Sequence, residues 1–303
     1  MTSAHGKAIV IANSRAGASS KNKSSISDLL AAAEIDHETR STEGPRHAIQ
    51  LAREAVDAGA RFIVAVGGDG TIHEVVNGMM TADAYDPELV LGIIPGGSGS
   101  DFIRTFGLPA TASDAVEHLK GEPWFQIDIG KVTYQQGGTQ VAEFFPNIAE
   151  AGLGGEVVRR AEKLPRRVGR LRYLISFWLT LARYSSTEGR VLLDDKTYEG
   201  RITNLVVANA QFFGGGMRIA PKAHPADGKF NVLIQHGTKM DYVSGISKVF
   251  KGEHLPSPAI KELNAAVVRV ESKKPLQIEA DGEVLGFTPA TFEIIPNALR
   301  LKI

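Results

Sequence analysis

The chain has 303 residues, with 34 basic and 34 acidic side chains, a formal net charge of zero and no cysteine. That length suggests two domains at about 150 residues each, and the even charge balance argues against a dedicated nucleic-acid binder. Absence of cysteine excludes a disulfide framework, a thiolate zinc site and a cysteine nucleophile.

The opening stretch, MTSAHGKAIVIAN, lacks the basic-then-apolar layout of a secretory signal, so a cytoplasmic protein is expected. Ala8 to Ala12 reads as a strand and Ser24 to Ala33 as a helix, followed by a helix over His47 to Ala58 and a buried strand over Phe62 to Val66. Thr71 to Met80 is helical, Leu89 to Pro95 a strand, and Asp101 to Phe106 and Ser113 to Lys120 helical again. Apolar strands alternating with helices predict an α/β domain with a doubly wound parallel sheet, placed at 1–130.

From about residue 127 β patterns dominate: Gln126 to Val132, Glu143 to Ala149, Arg190 to Leu193, Thr203 to Asn209, Phe230 to Gln235, Ala266 to Val270, Leu276 to Ile278, Ala290 to Ile295 and Ala298 to Ile303. Turn pairs Gly137-Gly138, Asp194-Asp195, Asp227-Gly228 and Asp281-Gly282 separate them. A second, all-β domain over 131–294 is expected, an antiparallel sandwich or barrel-like unit, with 295–303 returning to the first domain. One helical insertion, Glu156 to Tyr184, interrupts it. From Glu156 to Arg190 there are nine Lys or Arg and three Glu, a local net of about +6. The longest apolar stretch, Leu174 to Ala182, is broken by Ser176 and Thr180 and is far short of the about 20 residues that cross a bilayer.

Glycine accounts for 32 residues, above the average of ~7%, and it concentrates at turns. Phe62 to Val66 runs into Gly67-Gly68-Asp69-Gly70-Thr71 and then a helix. A helix N-terminus behind a glycine turn presents backbone N–H groups and a partial positive charge, which suits phosphate. The alternative is a plain glycine-rich connector; Asp69 favours phosphate, since a carboxylate beside phosphates makes sense mainly with Mg²⁺ between them. The construction recurs at Pro95-Gly96-Gly97-Ser98-Gly99-Ser100-Asp101, where Asp101 could cap its helix or reach the metal. A third polar turn, Asn13-Ser14-Arg15-Ala16-Gly17, follows the first strand. Turns at the carboxyl ends of parallel strands are where such sheets bind ligands. No P-loop or Rossmann motif is present, and His73-Glu74 lacks the second histidine of a zinc motif.

Gly67 to Thr71 with Glu74 and Asn77-Gly78 resembles the nucleotide signature of the diacylglycerol-kinase-like lipid kinases. Pro95 to Phe102, Asn147 to Gly155, Asn209 with Phe213 to Met217, Ala220 to Ala223, Asp227-Gly228 and Asp281-Gly282-Glu283 follow in that family's order. The resemblance implies an ATP-dependent, Mg²⁺-requiring kinase acting on a lipid hydroxyl, with a cleft between a nucleotide domain and a β-sandwich domain. It implies that Asn13, Ser14, Arg15, Ala16, Gly17, Thr42, Gly67, Gly68, Asp69, Gly70, Thr71, Ile72, His73, Glu74, Gly97 and Ser98 line the ATP site. Asp69, Asp101 and Asp128 would organise catalytic Mg²⁺, partly through water. Asp227, with the carbonyls of His224 and Lys229, matches a structural Mg²⁺ site. Glu283 is the implied base, with Asp281 orienting it or binding the metal; on local pattern alone Asp281-Gly282 is also an ordinary hairpin turn. The family usually has Asn where His73 and Ser100 stand, Pro at Ser14 and Thr at Ser98.

The basic insertion reads as a solvated helical surface, as a nucleic-acid contact that neither the rest of the chain nor a known motif supports, or as a peripheral membrane contact, with Arg166, Arg167, Arg170 and Arg172 ahead of Leu174-Ile175-Ser176-Phe177-Trp178-Leu179. The expected partners are a lipid substrate and a membrane surface, without nucleic acid; an exposed sheet edge could support a homodimer. Two alternatives stay open: an NAD kinase, which shares the Gly-Gly-Asp-Gly turn, and a nucleotide-binding regulatory module without catalysis.

Overall fold

The computed structural model describes residues 6–14, 26–96, 101–165 and 171–303. It divides into two units: Met1–Asp128 with Pro296–Ile303, and Ile129–Ile295.

In the first unit a parallel sheet is built from β1 (Ala8–Asn13), β2 (His37–Thr42), β3 (Phe62–Gly67) and β4 (Val90–Pro95) in the order β2-β1-β3-β4. Its fifth strand is the end of β15 (Glu283–Lys302), whose Arg300 and Leu301 pair in parallel with Val90 and Leu91. The central strands are buried along their whole length, as β3 shows with every residue covered, which is why they read as unbroken apolar runs. The connecting helices are α1 (Ile26–Ala32), α2 (His47–Asp57), α3 (Asp69–Met80), α4 (Asp101–Phe106) and α5 (Ala112–Lys120). Ala8, Val10, Phe62, Val64, Val66, Val90 and Ile94 form a core with Leu30 of α1 and Ala115, Val116 and Leu119 of α5. Strand β2 has no apolar run (HETRST) and was not expected; it survives as an edge strand held through its backbone to β1.

In the second unit, strands β12 (Ile260–Ala265), β11 (Phe230–Gln235), β10 (Asn204–Ala208), β7 (Ile148–Gly152), β14 (Gln277–Ala280) and β15 lie side by side in that order. From β15 the pairing continues through β13 (Val267–Ser272) and β8 (Thr187–Leu193) to β9 (Lys196–Ile202), and separately through β5 (Trp124–Gln136) to β6 (Thr139–Phe145). The ladders from β12 through β11, β10, β7 and β14 to β15, and those of β15–β13, β13–β8, β8–β9 and β5–β6, are antiparallel. Phe145, Phe230 and Phe292 meet at the centre of this core, the first two stacked with centroids 5.6 Å apart.

Several expected elements differ in detail. The stretch Glu143 to Ala149 is two strands, β6 and β7, separated at Pro146-Asn147, because proline cannot donate to a ladder. Conversely, Ala290 to Ile295 and Ala298 to Ile303 belong to one long strand, β15, which passes from one unit into the other. Among the described residues the insertion holds two helices, α6 (Leu153–Glu162) and α7 (Leu171–Arg183). A further helix, α8 (Lys239–Val249), was not expected; it is started by a capping box of Thr238 and Asp241 and buries no side chain.

Candidate functional site

The carboxyl ends of the parallel strands bring several of the expected residues together. Register places Asn13 beside Thr42 and Gly67 beside Pro95. Asn13 Nδ2 donates to Thr71 Oγ1 at 3.2 Å, and the Ser14 N–H reaches Thr42 Oγ1 at 3.4 Å. The two glycine turns are joined by the Gly96 N–H to the Gly67 carbonyl, 2.9 Å. Gly68 is the N-cap of α3, and no side chain caps that end. The helix's own bonding starts with the Thr71 and Ile72 N–H groups on the Gly68 carbonyl, so the amides of Asp69 and Gly70, its first two residues, lie ahead of that bonding. A Cβ at Gly67 would strike the Thr71 side chain, which shows how tightly the turn is drawn. The arrangement fits a phosphate: an uncapped helix end, no Cβ on the approach, and hydroxyl and amide side chains around it.

Other expected ligands carry structural duties. Asp69 caps α4: its Oδ2 accepts the Asp101 N–H at 3.2 Å and its Oδ1 the Phe102 N–H at 3.1 Å. Asp128 is about 1% exposed, and its Oδ1 accepts the Asn297 N–H at 2.8 Å. A carboxylate oxygen keeps a second lone pair in such a bond, so these contacts orient the acids without exhausting them. Glu74 commits both oxygens to the head of α2, accepting the Arg46 and Ala48 N–H groups at 3.0 and 3.1 Å. Ile72 and His73 are buried within α3, and Asn77 Nδ2 donates to the His73 carbonyl at 2.9 Å. Ile72 and His73 are thus part of the buried helix and Glu74 serves α2, whereas Gly67, Gly68, Asp69 and Gly70 make up the turn at its head. Arg15, Ala16, Gly17, Gly97 and Ser98 lie outside the described residues, as do Ser100, Arg166, Arg167 and Arg170.

For a divalent cation, no cluster of three or more histidine or acidic side chains capable of holding one occurs among the described residues. The Asp227 loop offers a different donor set. Asp227 is exposed, its Oδ1 accepts the Lys229 N–H at 3.0 Å, and the His224 carbonyl accepts the Ala226 N–H at 2.8 Å. One carboxylate with main-chain carbonyls is hard-oxygen chemistry that suits Mg²⁺ completed by water.

In the second unit, Asp281 and Gly282 join β14 to β15 with φ of 51° and 89°, the left-handed pair of a two-residue hairpin turn. Asp281 pins this turn to β7 twice: its N–H donates to the Ile148 carbonyl and its Oδ1 accepts the Ile148 N–H, both at 2.9 Å. Glu283 follows on β15 and is exposed. Asn147 and Asn209, also in the family pattern, knit neighbouring loops: Asn147 Nδ2 donates to the Phe212 carbonyl and Asn209 Nδ2 to the Pro146 carbonyl, each at 2.8 Å. Unanticipated were Glu150 and Glu279, two buried acids on adjacent strands; an acid inside each apolar run (IAEAG, QIEA) was the available signal. Burial pushes the Glu150 carboxyl up to about 7, and burial with the neighbouring Glu150 pushes Glu279 well above the usual carboxylate range.

Helix α7 is turned opposite to an ordinary surface helix. Ser176, Thr180 and Leu181 face inward, with Thr180 Oγ1 accepting from Arg160 Nε at 3.0 Å, while Leu171, Leu174, Ile175, Trp178 and Leu179 are exposed, Leu171 by 61%. Lys239 at the head of α8 donates Nζ to the Ala182 carbonyl at 2.7 Å, and Met240, Val243 and Phe250 are exposed there too. No described helix is long and apolar enough to cross a membrane.

Comparison with known proteins agrees over both units. Residues 7–132 match the diacylglycerol kinase catalytic domain, and residues 147–303 match the YegS C-terminal NAD kinase beta sandwich-like domain. The chain is 31% identical to a diacylglycerol kinase of Bacillus subtilis, over 84% of this chain and 81% of that one. It is 30% identical to a protein of Alcanivorax borkumensis named "Probable lipid kinase YegS-like", over 83% and 81%. A crystal structure of a diacylglycerol kinase from Bacillus anthracis shares the fold, with a TM-score of 0.72 at 20% identity over 98% of this chain and 96% of that one. With both domain models matched in order and relatives at this identity along most of its length, the chain belongs to the diacylglycerol-kinase-like lipid kinase family and is a phosphotransferase.

Proposed function

We propose that the protein transfers the γ-phosphoryl group of ATP to the hydroxyl of diacylglycerol or a related lipid. The observation that carries this reading is the uncapped glycine turn at Gly67–Gly70, framed by Asn13, Thr42 and Thr71. An alcohol is a weak nucleophile near neutral pH, so transfer needs alignment, charge neutralisation at the phosphate and a base. Backbone amides at the head of α3 would hold the phosphates without moving as charge develops. Glu283 would accept the hydroxyl proton, its carboxylate exposed beside a turn that Asp281 clamps to β7. Bound Mg²⁺ would offset phosphate charge, held by Asp69, Asp101 and Asp128 partly through water, with a structural ion at Asp227 and the carbonyls of His224 and Lys229. Incubation with labelled ATP and a fractionated lipid extract tests the assignment, and a labelled lipid is the expected product. Label on NAD instead would make the protein an NAD kinase, and ATP binding without any transfer a regulatory module.

We further propose that α7 seats the enzyme on an anionic membrane. Its outward row at positions 171, 174, 175, 178 and 179 is an apolar face with helical spacing, and Lys163, Arg183 and Lys239 are exposed nearby in the chain or fold. Such a face with basic flanks suits the headgroup boundary. Leu174→Glu and Trp178→Glu should each weaken sedimentation with phosphatidylglycerol vesicles about tenfold or more, and added salt should weaken it further; indifference to both would refute the contact.

A further inference from the structure

Strands β7 and β14 set Glu150 and Glu279 directly opposite each other, each about 3% exposed. Like charges in that relation repel when both are ionised, so the pair needs support from the groups around it. The pair is braced from one side: Asn204 on β10 donates Nδ2 to Glu150 Oε1 at 2.7 Å, and its Oδ1 accepts the Gly154 N–H at the head of α6 at 3.1 Å. A Cβ at Gly154 would strike the Glu150 carboxyl, so α6 closes directly over the pair. On its other side Glu279 Oε2 accepts the N–H of Gly282 at 2.8 Å. Two apolar side chains would hold these strands at least as well, because buried acids cost solvation. What the acids add is an acceptor for the central amide of the turn that leads into Glu283.

We propose that Glu279, braced by Glu150 and Asn204, is a positioning residue for Glu283. It fixes the Asp281–Gly282 turn from within β14, while Asp281 fixes it to β7. The turn is then held at both central residues, and the carboxylate that follows inherits a defined direction. This inference rests on the reading of Glu283 as the base.

The test compares the wild type with Glu279→Met, Glu279→Gln, Glu283→Gln and the Glu279→Met/Glu283→Gln double variant. Each is assayed below its melting temperature with labelled ATP and diacylglycerol in phosphatidylglycerol vesicles. Methionine removes the acceptor at similar volume, and should lower kcat about 10- to 100-fold, the cost of a loosely held group, with the KM for ATP within about twofold. Glutamine can accept from Gly282 and donate to Glu150, and should stay within about threefold of the wild type. In the Glu283→Gln background the methionine should add nothing further, as expected of groups acting through one another. A wild-type kcat in Glu279→Met, or equal damage in Glu279→Gln, overturns the positioning role while leaving Glu283 as base. Near-wild-type turnover in Glu283→Gln overturns the base reading instead. Should the methionine variant not fold, or diacylglycerol not be turned over, hydrogen exchange of the Gly282 amide in the wild-type protein decides. Exchange at least about tenfold slower than in an unprotected turn supports the proposal, and exchange at the unprotected rate overturns it.

Discussion

The turns at Gly67–Asp69 and at Asp281–Glu283 are both short glycine-bearing connections, yet they are built on opposite principles. At the first, what is presented is the backbone: no side chain caps α3 at Gly68, and the side chains of Asp69 and Glu74 accept from the heads of α4 and α2. At the second, the backbone is fully anchored, through Ile148 and Glu279, and what is presented is the Glu283 side chain. A backbone site depends on there being no Cβ in the way. A side-chain site depends on one functional group and on whatever holds it still.

That contrast can be broken most sharply at Glu283. Glu283→Gln should lower phosphoryl transfer about 10³-fold, within the range of a lost general base, while ATP affinity measured by calorimetry stays unchanged. A parallel fall in ATP affinity would erase the distinction between the two turns. The mirror-image experiment is Gly67→Ala, whose Cβ would press on Thr71, the acceptor of Asn13. ATP binding should weaken about tenfold, ~1.4 kcal/mol, and unchanged binding would show that the turn is not drawn around a ligand.

The smallest effect sharpens the second turn's support. Because Glu150 is raised from 4.5 to about 7 by burial, the folded state holds a proton that the unfolded chain releases. Stability from this group is complete below about pH 4.5 and is lost as pH rises through about 7. The pair with Glu279 titrates jointly, so Glu150→Gln should flatten the decline in melting temperature between those pH values. An unaltered slope would mean that the acids are not buried against one another.

Much of the first unit was legible because its central strands are apolar along their whole length and end in glycine turns, so the turn between β3 and α3 could be located from Phe62–Thr71 by pattern. The apolar signal failed where burial is one-sided or absent. Strand β2 (HETRST) and strand β9 (KTYEGRI) are held by ladders to β1 and β8, and α8 has no buried face for periodicity to report. The long β15 looked like two strands because Pro296-Asn297 interrupts its pattern, with Asn297 at φ 51°. Site roles were legible only where they are local. That Glu74 would serve α2, that Asp69 would cap α4, and that Glu150 would meet Glu279 across a ladder are tertiary facts, set by residues 26 to 129 positions away. The exposed row on α7 was legible as composition, whereas its outward direction was not, since two of the three residues that face the core, Ser176 and Thr180, are polar, and only Leu181 is apolar.

Main-chain amides at the head of α3 are proposed to receive a nucleotide phosphate, and a crystal structure with ADP and Mg²⁺ tests that most directly. The β-phosphate oxygens are predicted to lie within hydrogen-bonding distance, about 2.7–3.2 Å, of the Asp69 or Gly70 N–H. A nucleotide bound elsewhere, with those amides making no phosphate contact, would contradict it.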